Sequence, residues 1–352
     1  MTRTSTSAGL AALLLSLAAV PLHAQELRFA LLDADLVTVA RQLGKQSFDD
    51  NVDLHKVQVI QTLRSGGGTI PATVTVLDWP NLSLHNRPQP RQSRLYCLHD
   101  ATRDAQRLGL PADQGPYYRM NGRAGSNPLV GQDLTRDPIA RFAQLIADGE
   151  AGHAPLVTAT ALLATAIGDD ATTRLEAARH LAEQPLLAAR ITPLQWSDVL
   201  SRTSAETADA EYKVALAELC VGQRLPGLVE ALIVGLDTMH NAEYARAVGR
   251  LCSVLLGEDA AEPLLKRLAS NADGNTRKAM LLALGATRVP KALEALLQWK
   301  QLDSNDAAIN AALKEHGGKV AREAAEPKPD AKDDGQKPDV KKHEAKPDSG
   351  GK

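Results

Sequence analysis

Two stretches of this chain superimpose when one is slid along the other by 32 residues. Glu211-Tyr212 with Ala215 and Leu219-Cys220 returns as Glu243-Tyr244 with Ala247 and Leu251-Cys252, and the alanine recurs at Ala279 and Ala311. A fixed period of this length restricts the fold more than any single motif, because each unit must bury its apolar face against the next copy. From about Ala154 onward the apolar residues fall at steps of three and four, in segments broken by Pro, Gly, Asn or Asp. That is the pattern of amphipathic helices with their stop signals.

The first helices of the units also rhyme. Pro193, Pro226, Pro263 and Pro290 each open a leucine-bearing segment, and proline suits the first helical turn, where its missing N–H has no intrahelical partner. Each unit therefore reads as a Pro-started helix, a short polar turn and a second helix carrying the periodic alanine. A small residue there lets adjacent second helices approach to the roughly 8–10 Å of packed helices, which predicts that the alanine marks the closest contact of the stack.

On these residues the chain resembles the HEAT-repeat family, most clearly in Glu262-Pro263-Leu264-Leu265-Lys266-Arg267-Leu268, Gly274-Asn275-Thr276-Arg277-Lys278-Ala279, Leu284-Gly285 and Val289-Pro290-Lys291-Ala292-Leu293. The resemblance covers about Ala154 to Gly317 and implies an α-solenoid of four to five helix pairs. Such stacks present extended concave faces suited to protein partners. Two departures stand out. The spacing from Arg174-Leu175-Glu176-Ala177-Ala178 to Glu211-Tyr212 is longer than the period, as in a capping repeat. The arginine and Asp-Val pair of many such turns is missing, with Arg277 alone in place.

Residues 25–135 read differently, as a small β-rich domain, barrel or sandwich. The expected strands are Asp35 to Arg41, His55 to Leu63, Ala72 to Trp79, Arg94 to His99, Tyr117 to Met120 and Asn127 to Gly131. Val74 and Val76 alternate with Thr73 and Thr75 at the two-residue period of a half-buried strand. Ser65-Gly66-Gly67-Gly68-Thr69 is a hairpin turn between strands. It lacks the Gly-Lys-Ser/Thr and the following helix of a phosphate loop. In Ala34-Asp35-Leu36-Val37, Val57 to Arg64 and Leu95-Tyr96-Cys97-Leu98 the domain looks like the small barrel of exported bacterial proteins and, more distantly, netrin and tissue-inhibitor modules, without their disulfides. Asp137-Pro138 supplies an N-cap and first-turn proline for a linking helix within 136–153, ahead of the solenoid at 154–318.

The two ends have their own signatures. Residues 1–24 carry Arg3, an apolar run from Gly9 to Val20, Pro21 and Ala24, the layout of a secretory signal peptide cut near Ala24. The run is shorter than the roughly 20 residues that span a bilayer. The expectation is a periplasmic or extracellular protein without a membrane span after signal removal. Residues 319–352 lose their large apolar side chains and repeat Lys-Pro-Asp at Lys328, Lys337 and Lys346. A mixed-charge segment of this kind cannot offset the entropy of ordering, so a disordered tail is expected, with contact to the cell envelope as a further possibility.

A formal charge of −2 and 3 % aromatics exclude a dedicated nucleic-acid binder, which needs a basic stripe and stacking side chains. Cys97, Cys220 and Cys252 are too few and odd in number for a disulfide framework. Equivalent positions in neighbouring units sit too far apart for the roughly 7 Å a disulfide allows, so Cys220 and Cys252 are expected as buried thiols. Histidines outside the ends are His55, His85, His99, His153, His180, His240 and His316. No His-Glu-x-x-His, Cys-x-x-Cys or Gly-x-Ser-x-Gly appears. Glu176 and His180, one helical turn apart beside Arg179, are expected to be a solvated surface pair and not a metal site. Tyr117-Tyr118-Arg119 and Trp79, with His85 and His99, are expected to follow strand alternation and not to line a ligand groove. The chain therefore reads as an exported, non-catalytic protein-binding or scaffold protein, with no assigned catalytic residues, cofactor or metal. The competing reading is an enzyme-associated, lyase-like HEAT protein acting on a small ligand, which would require one tight polar cluster.

Overall fold

The computed structural model describes residues 26–49, 51–79, 90–122, 127–205, 209–270 and 274–325. The expected signal peptide and most of the expected tail lie outside the described residues.

Five strands close into a barrel in the order β1-β2-β3-β5-β4. They are β1 (Leu36–Ser47), β2 (Asp53–Ser65), β3 (Thr73–Asp78), β4 (Ser93–Asp100) and β5 (Tyr117–Met120). Neighbours are antiparallel except β3 with β5. Closure settles the choice between barrel and sandwich. β1 and β2 extend beyond the expected limits because the turn between them is held locally: Asp49 Oδ1 accepts from the N–H groups of Asn51 and Val52. The strand expected at 127–131 forms only an isolated bridge from Leu129 to Arg94. Gly67 and Gly68 take positive φ, the conformation that a glycine turn supplies without steric cost.

Side chains alternate across the barrel wall. Leu36, Ala40, Val57, Val74, Val76, Tyr96 and Leu98 pack together in its interior. Val37, Val39, Leu95 and Cys97 point outward into a second core that runs through the helices to Ala325. Barrel and solenoid thus share one apolar core along the barrel's outer wall.

A helix, α1 (Glu26–Asp33), precedes the barrel where the sequence reading placed only β structure. Its Leu27, Ala30 and Leu31 fall at helical spacing, are buried in the shared core with Ala34 just beyond, and settle the local choice in favour of a helix. Arg64 of β2 donates to the carbonyls of Leu31 and Leu32, each at 2.9 Å, satisfying acceptors that a helix C-terminus leaves open. A short helix, α2 (Thr102–Arg107), leads into β5.

The linking helix is α3 (Pro138–Glu150), with Asp137 accepting from the Ala140 N–H at 2.8 Å. Five helix pairs follow. They are α4 (Pro155–Ala166) with α5 (Ala171–Glu183), α7 (Pro193–Ser204) with α8 (Ala210–Gln223), α9 (Leu228–Thr238) with α10 (Ala242–Leu256), α11 (Ala261–Leu268) with α12 (Gly274–Thr287), and α13 (Pro290–Leu302) with α14 (Ala307–His316). An extra turn, α6 (Pro185–Ala188), fills the long spacing after α5. Second helices α5, α8, α10, α12 and α14 stack in sequence. The chain then continues as α15 (Lys319–Ala325), packed on α14. The tail boundary at Lys319 is therefore seven residues early: Ala321 and Ala325 are small enough to be buried, although the segment has few large apolar residues.

The periodic alanine needs a correction. Ala215, Ala247 and Ala279 are buried, but Ala311 is exposed. The tightest approach is made by glycines: a Cβ on Gly249 would stand 2.1 Å from the Ala283 carbonyl oxygen, and one on Gly285 2.2 Å from that of Ala312. Backbone against backbone requires the smallest residue, and those two glycines lie outside the alanine's period.

Candidate binding surfaces

Stacking leaves one stripe of each second helix uncovered, and its positions recur with the 32-residue period. Glu211, Glu243, Asn275 and Ala307 form one row, Val214, Arg246, Lys278 and Asn310 the next, and Glu218, Arg250, Leu282 and Lys314 the third; each is half-buried or exposed. Steps of three and four keep the three rows on one helix face. Their chemistry is mixed, with acidic, basic and apolar members side by side.

Ion pairs cross this stripe. Arg179 of α5 donates to Glu211 of α8 at 2.5 Å, and Arg246 of α10 reaches over α12 to Glu315 of α14 at 2.8 Å. At the end where the second helices begin, capping residues tie successive helices together. Asp209 accepts from the Tyr212 N–H and Asp306 from the Ala308 and Ile309 N–H groups. Arg174 then meets Asp209 at 3.3 Å and Arg277 meets Asp306 at 2.8 Å. The arginine-to-aspartate turn contact of helical repeats is thus present in two places, where the sequence pattern offered only Arg277. Arg277 is partnered as its position suggested, and Arg174 plays the same part in the irregular first unit.

The first unit holds a buried polar group that sequence reasoning misplaced. Glu176 and His180 were expected on the surface; both are buried, with Arg179. The reason is α1, which lies over this part of α5: Arg28, fully buried, donates through Nη2 to Glu183 at 2.7 Å, and its backbone N–H donates to Glu176 at 3.3 Å. Burial pushes the Glu176 carboxyl up to about 7 against the pull of Arg28 and Arg179. Burial, with Arg28 adding to it, holds the His180 imidazole down at about 4. At neutral pH His180 is neutral and Glu176 is shared between its two forms.

Other residues singled out from the sequence disperse. Tyr117 and Trp79 pack in the small cluster with Val52, Leu77 and Leu110, and the Tyr117 hydroxyl donates to the Pro111 carbonyl at 2.7 Å. Tyr118 packs at the barrel core. His99 stands apart from them, 3.6 Å from Asp33 and 3.7 Å from Asp35. His85 lies outside the described residues. His240 meets the Thr276 hydroxyl at 3.1 Å and His316 the Val289 carbonyl at 3.3 Å. His153 is exposed. Cys97, Cys220 and Cys252 are buried free thiols, pushed up to about 12 by burial.

One cluster had no counterpart in the sequence reading. Asp53 and His55 of β2 and Asp78 of β3 bring one donor atom each to within 4.8 Å of one another, all buried at one end of the barrel interior. The signal was parity: Asp53 and His55 share the inward face with Val57, and Asp78 shares it with Val74 and Val76, so polar groups occupy positions expected to be apolar. On the same barrel a groove of about 430 Å³ opens between Arg41, Arg91 and Leu129.

Residues 225–315, about a quarter of the chain, match the family of HEAT repeats. No curated protein and no solved structure matches the chain. Among the described residues no helix is long and apolar enough to cross a membrane.

Proposed function

With a solenoid built of HEAT repeats as the premise, we propose that this chain is an exported, non-catalytic scaffold that binds a protein partner along the uncovered stripe of α8, α10, α12 and α14. The observation that carries the reading is the stripe itself: twelve positions in three rows, repeated at a fixed period and chemically mixed. Extended faces of this kind suit an elongated partner contacted by several repeats at once. Residues 1–24 have the layout of a leader that would send the protein to the periplasm or beyond, and the Lys-Pro-Asp segment would add a solvated arm for envelope contact.

The test is affinity capture from cell-envelope extract with three forms of the protein. Wild type and a chain ending at Ala325 should hold the same partner, whereas Lys278→Glu with Lys314→Glu should lose it while keeping the wild-type melting temperature. Loss on removal of the tail alone would move the binding site to that arm. Retention by the charge-reversed pair would refute the stripe. Export is checked separately: the protein purified from its own cell should begin at Gln25 and fractionate outside the cytoplasm.

A further inference from the structure

We propose that Asp53, His55 and Asp78 bind one divalent transition-metal ion of the zinc class at the end of the barrel interior.

The strand register brings the donors together. Asp53 and Asp78 are directly opposed across β2 and β3, and His55 lies one inward position along, opposite Val76. Like charges in opposed cross-strand positions repel, and here both carboxylates are buried, Asp53 already drawing the Lys45 ammonium to 2.6 Å and the Ser47 hydroxyl to 2.8 Å. His55 Nε2 faces Asp78 Oδ2 at 3.4 Å. Tetrahedral bonds of about 2.0–2.1 Å to zinc give donor-to-donor edges of roughly 3.3–3.4 Å, so this edge already has the required length. The remaining separations, within 4.8 Å, close by about 1.4 Å at most through side-chain rotation.

A second observation concerns the imidazole itself. His55 Nε2 is buried and makes no hydrogen bond, and neither does the buried Oε1 of Gln42, whose Nε2 lies 2.9 Å from His55 Nδ1. A half-turn of the Gln42 amide, at the loss of a 3.4 Å contact to the Gly44 carbonyl, sets Oε1 to accept the Nδ1 proton. The Nε2 lone pair is then directed at the two carboxylates. A ligating imidazole whose other nitrogen donates to an oxygen is the usual arrangement in metal sites. One imidazole with two carboxylates suits zinc or a similar ion better than calcium or magnesium, which take oxygen donors.

Lys45 occupies the cation's side of the cluster. Its ammonium meets Asp53 Oδ2 at 2.6 Å while its side chain remains half-exposed. It is the internal competitor, and it can swing into solvent when the ion enters.

Purified protein stripped with a chelator is titrated with Zn²⁺ against a chromophoric competitor, with Ca²⁺ as comparator. One Zn²⁺ per chain at micromolar or tighter affinity is expected. His55→Gln and Asp78→Asn should each weaken it at least tenfold, and His99→Ala should not change it. Lys45→Met should tighten it severalfold, a gain that unfolding cannot produce. Co²⁺ loading should give visible absorption bands that His55→Gln abolishes. Absence of saturable Zn²⁺ binding, equal affinity for Ca²⁺, or affinity untouched by His55→Gln and Asp78→Asn would overturn the proposal.

Discussion

The glycine contacts between second helices make the sharpest stability prediction. An added Cβ at Gly249 would meet the Ala283 carbonyl oxygen at 2.1 Å and the Ala286 Cβ at 2.8 Å. Ordinary contact begins near 3.4 Å, so Gly249→Ala must move α10 and α12 apart by about 1.3 Å at that point. Overpacking of this kind costs roughly 1–3 kcal/mol. Replacing glycine by alanine in a helix interior returns up to about 1 kcal/mol through propensity. The net expectation is about 1–2 kcal/mol of destabilisation. Gly222→Ala in α8 is the internal control: nothing lies within 4 Å of its added Cβ, so the propensity term acts alone and stabilises by roughly 0.5–1 kcal/mol. Urea unfolding followed by circular dichroism should separate the two variants by about 1.5–3 kcal/mol, in opposite directions from wild type. Equal midpoints for Gly249→Ala and Gly222→Ala would refute the close packing of the second helices. Gly285→Ala should behave like Gly249→Ala, since its Cβ would lie 2.2 Å from the Ala312 carbonyl oxygen.

Other outcomes follow from the seam under α1. The folded-state pKa of Glu176, raised to about 7, makes the fold bind extra protons between about pH 4.5 and 7, so this group's contribution falls as pH rises through that window. His180, held at about 4, acts oppositely: its contribution is complete above its unfolded value near 6.5 and is lost as pH falls toward 4. The two nearly cancel in wild type between pH 4.5 and 6.5. In chemical denaturation series, Glu176→Gln should therefore expose a rising slope and His180→Gln a falling one, each up to about 1.4 kcal/mol per pH unit. Arg28→Ala should break the ion pair to Glu183 and remove the charge that pulls hardest on the buried Glu176 carboxyl, freeing α1 to detach, read as faster proteolysis within residues 26–33. All three cysteines should resist a thiol reagent in native protein and react on denaturation, given their burial and raised pKa.

What was legible in the sequence had a period. The helix pairs, the proline starts at Pro193 and Pro290 and Asp137 at the head of α3 follow from spacing, and five of the six expected strands from alternation and glycine turns; Pro226 lies before the Gly227 cap of α9, and Pro263 is the third residue of α11, which begins at Ala261. What was not legible depends on partners distant in sequence. Glu176 and His180 read as surface because α5 alone has them one turn apart; it is α1, some 150 residues earlier in the chain, that covers them. Likewise Asp53, His55 and Asp78 are scattered polar residues until strand register opposes them. Gly249 and Gly285 are unremarkable glycines until neighbouring backbones arrive, whereas the periodic alanine drew attention to the wrong contact. The helix over 319–325 was hidden because alanine buries a small surface and gives a weak amphipathic signal.

The central claim is that the uncovered stripe of the repeats is the binding face. Hydrogen exchange of the protein alone and in complex with its captured partner tests it directly, since amides under an interface are protected by binding. Protection should rise along α8, α10, α12 and α14 together, as expected of an elongated partner laid across the period. Protection confined to the barrel or to the tail beyond Ala325, with these four helices unchanged, would contradict it.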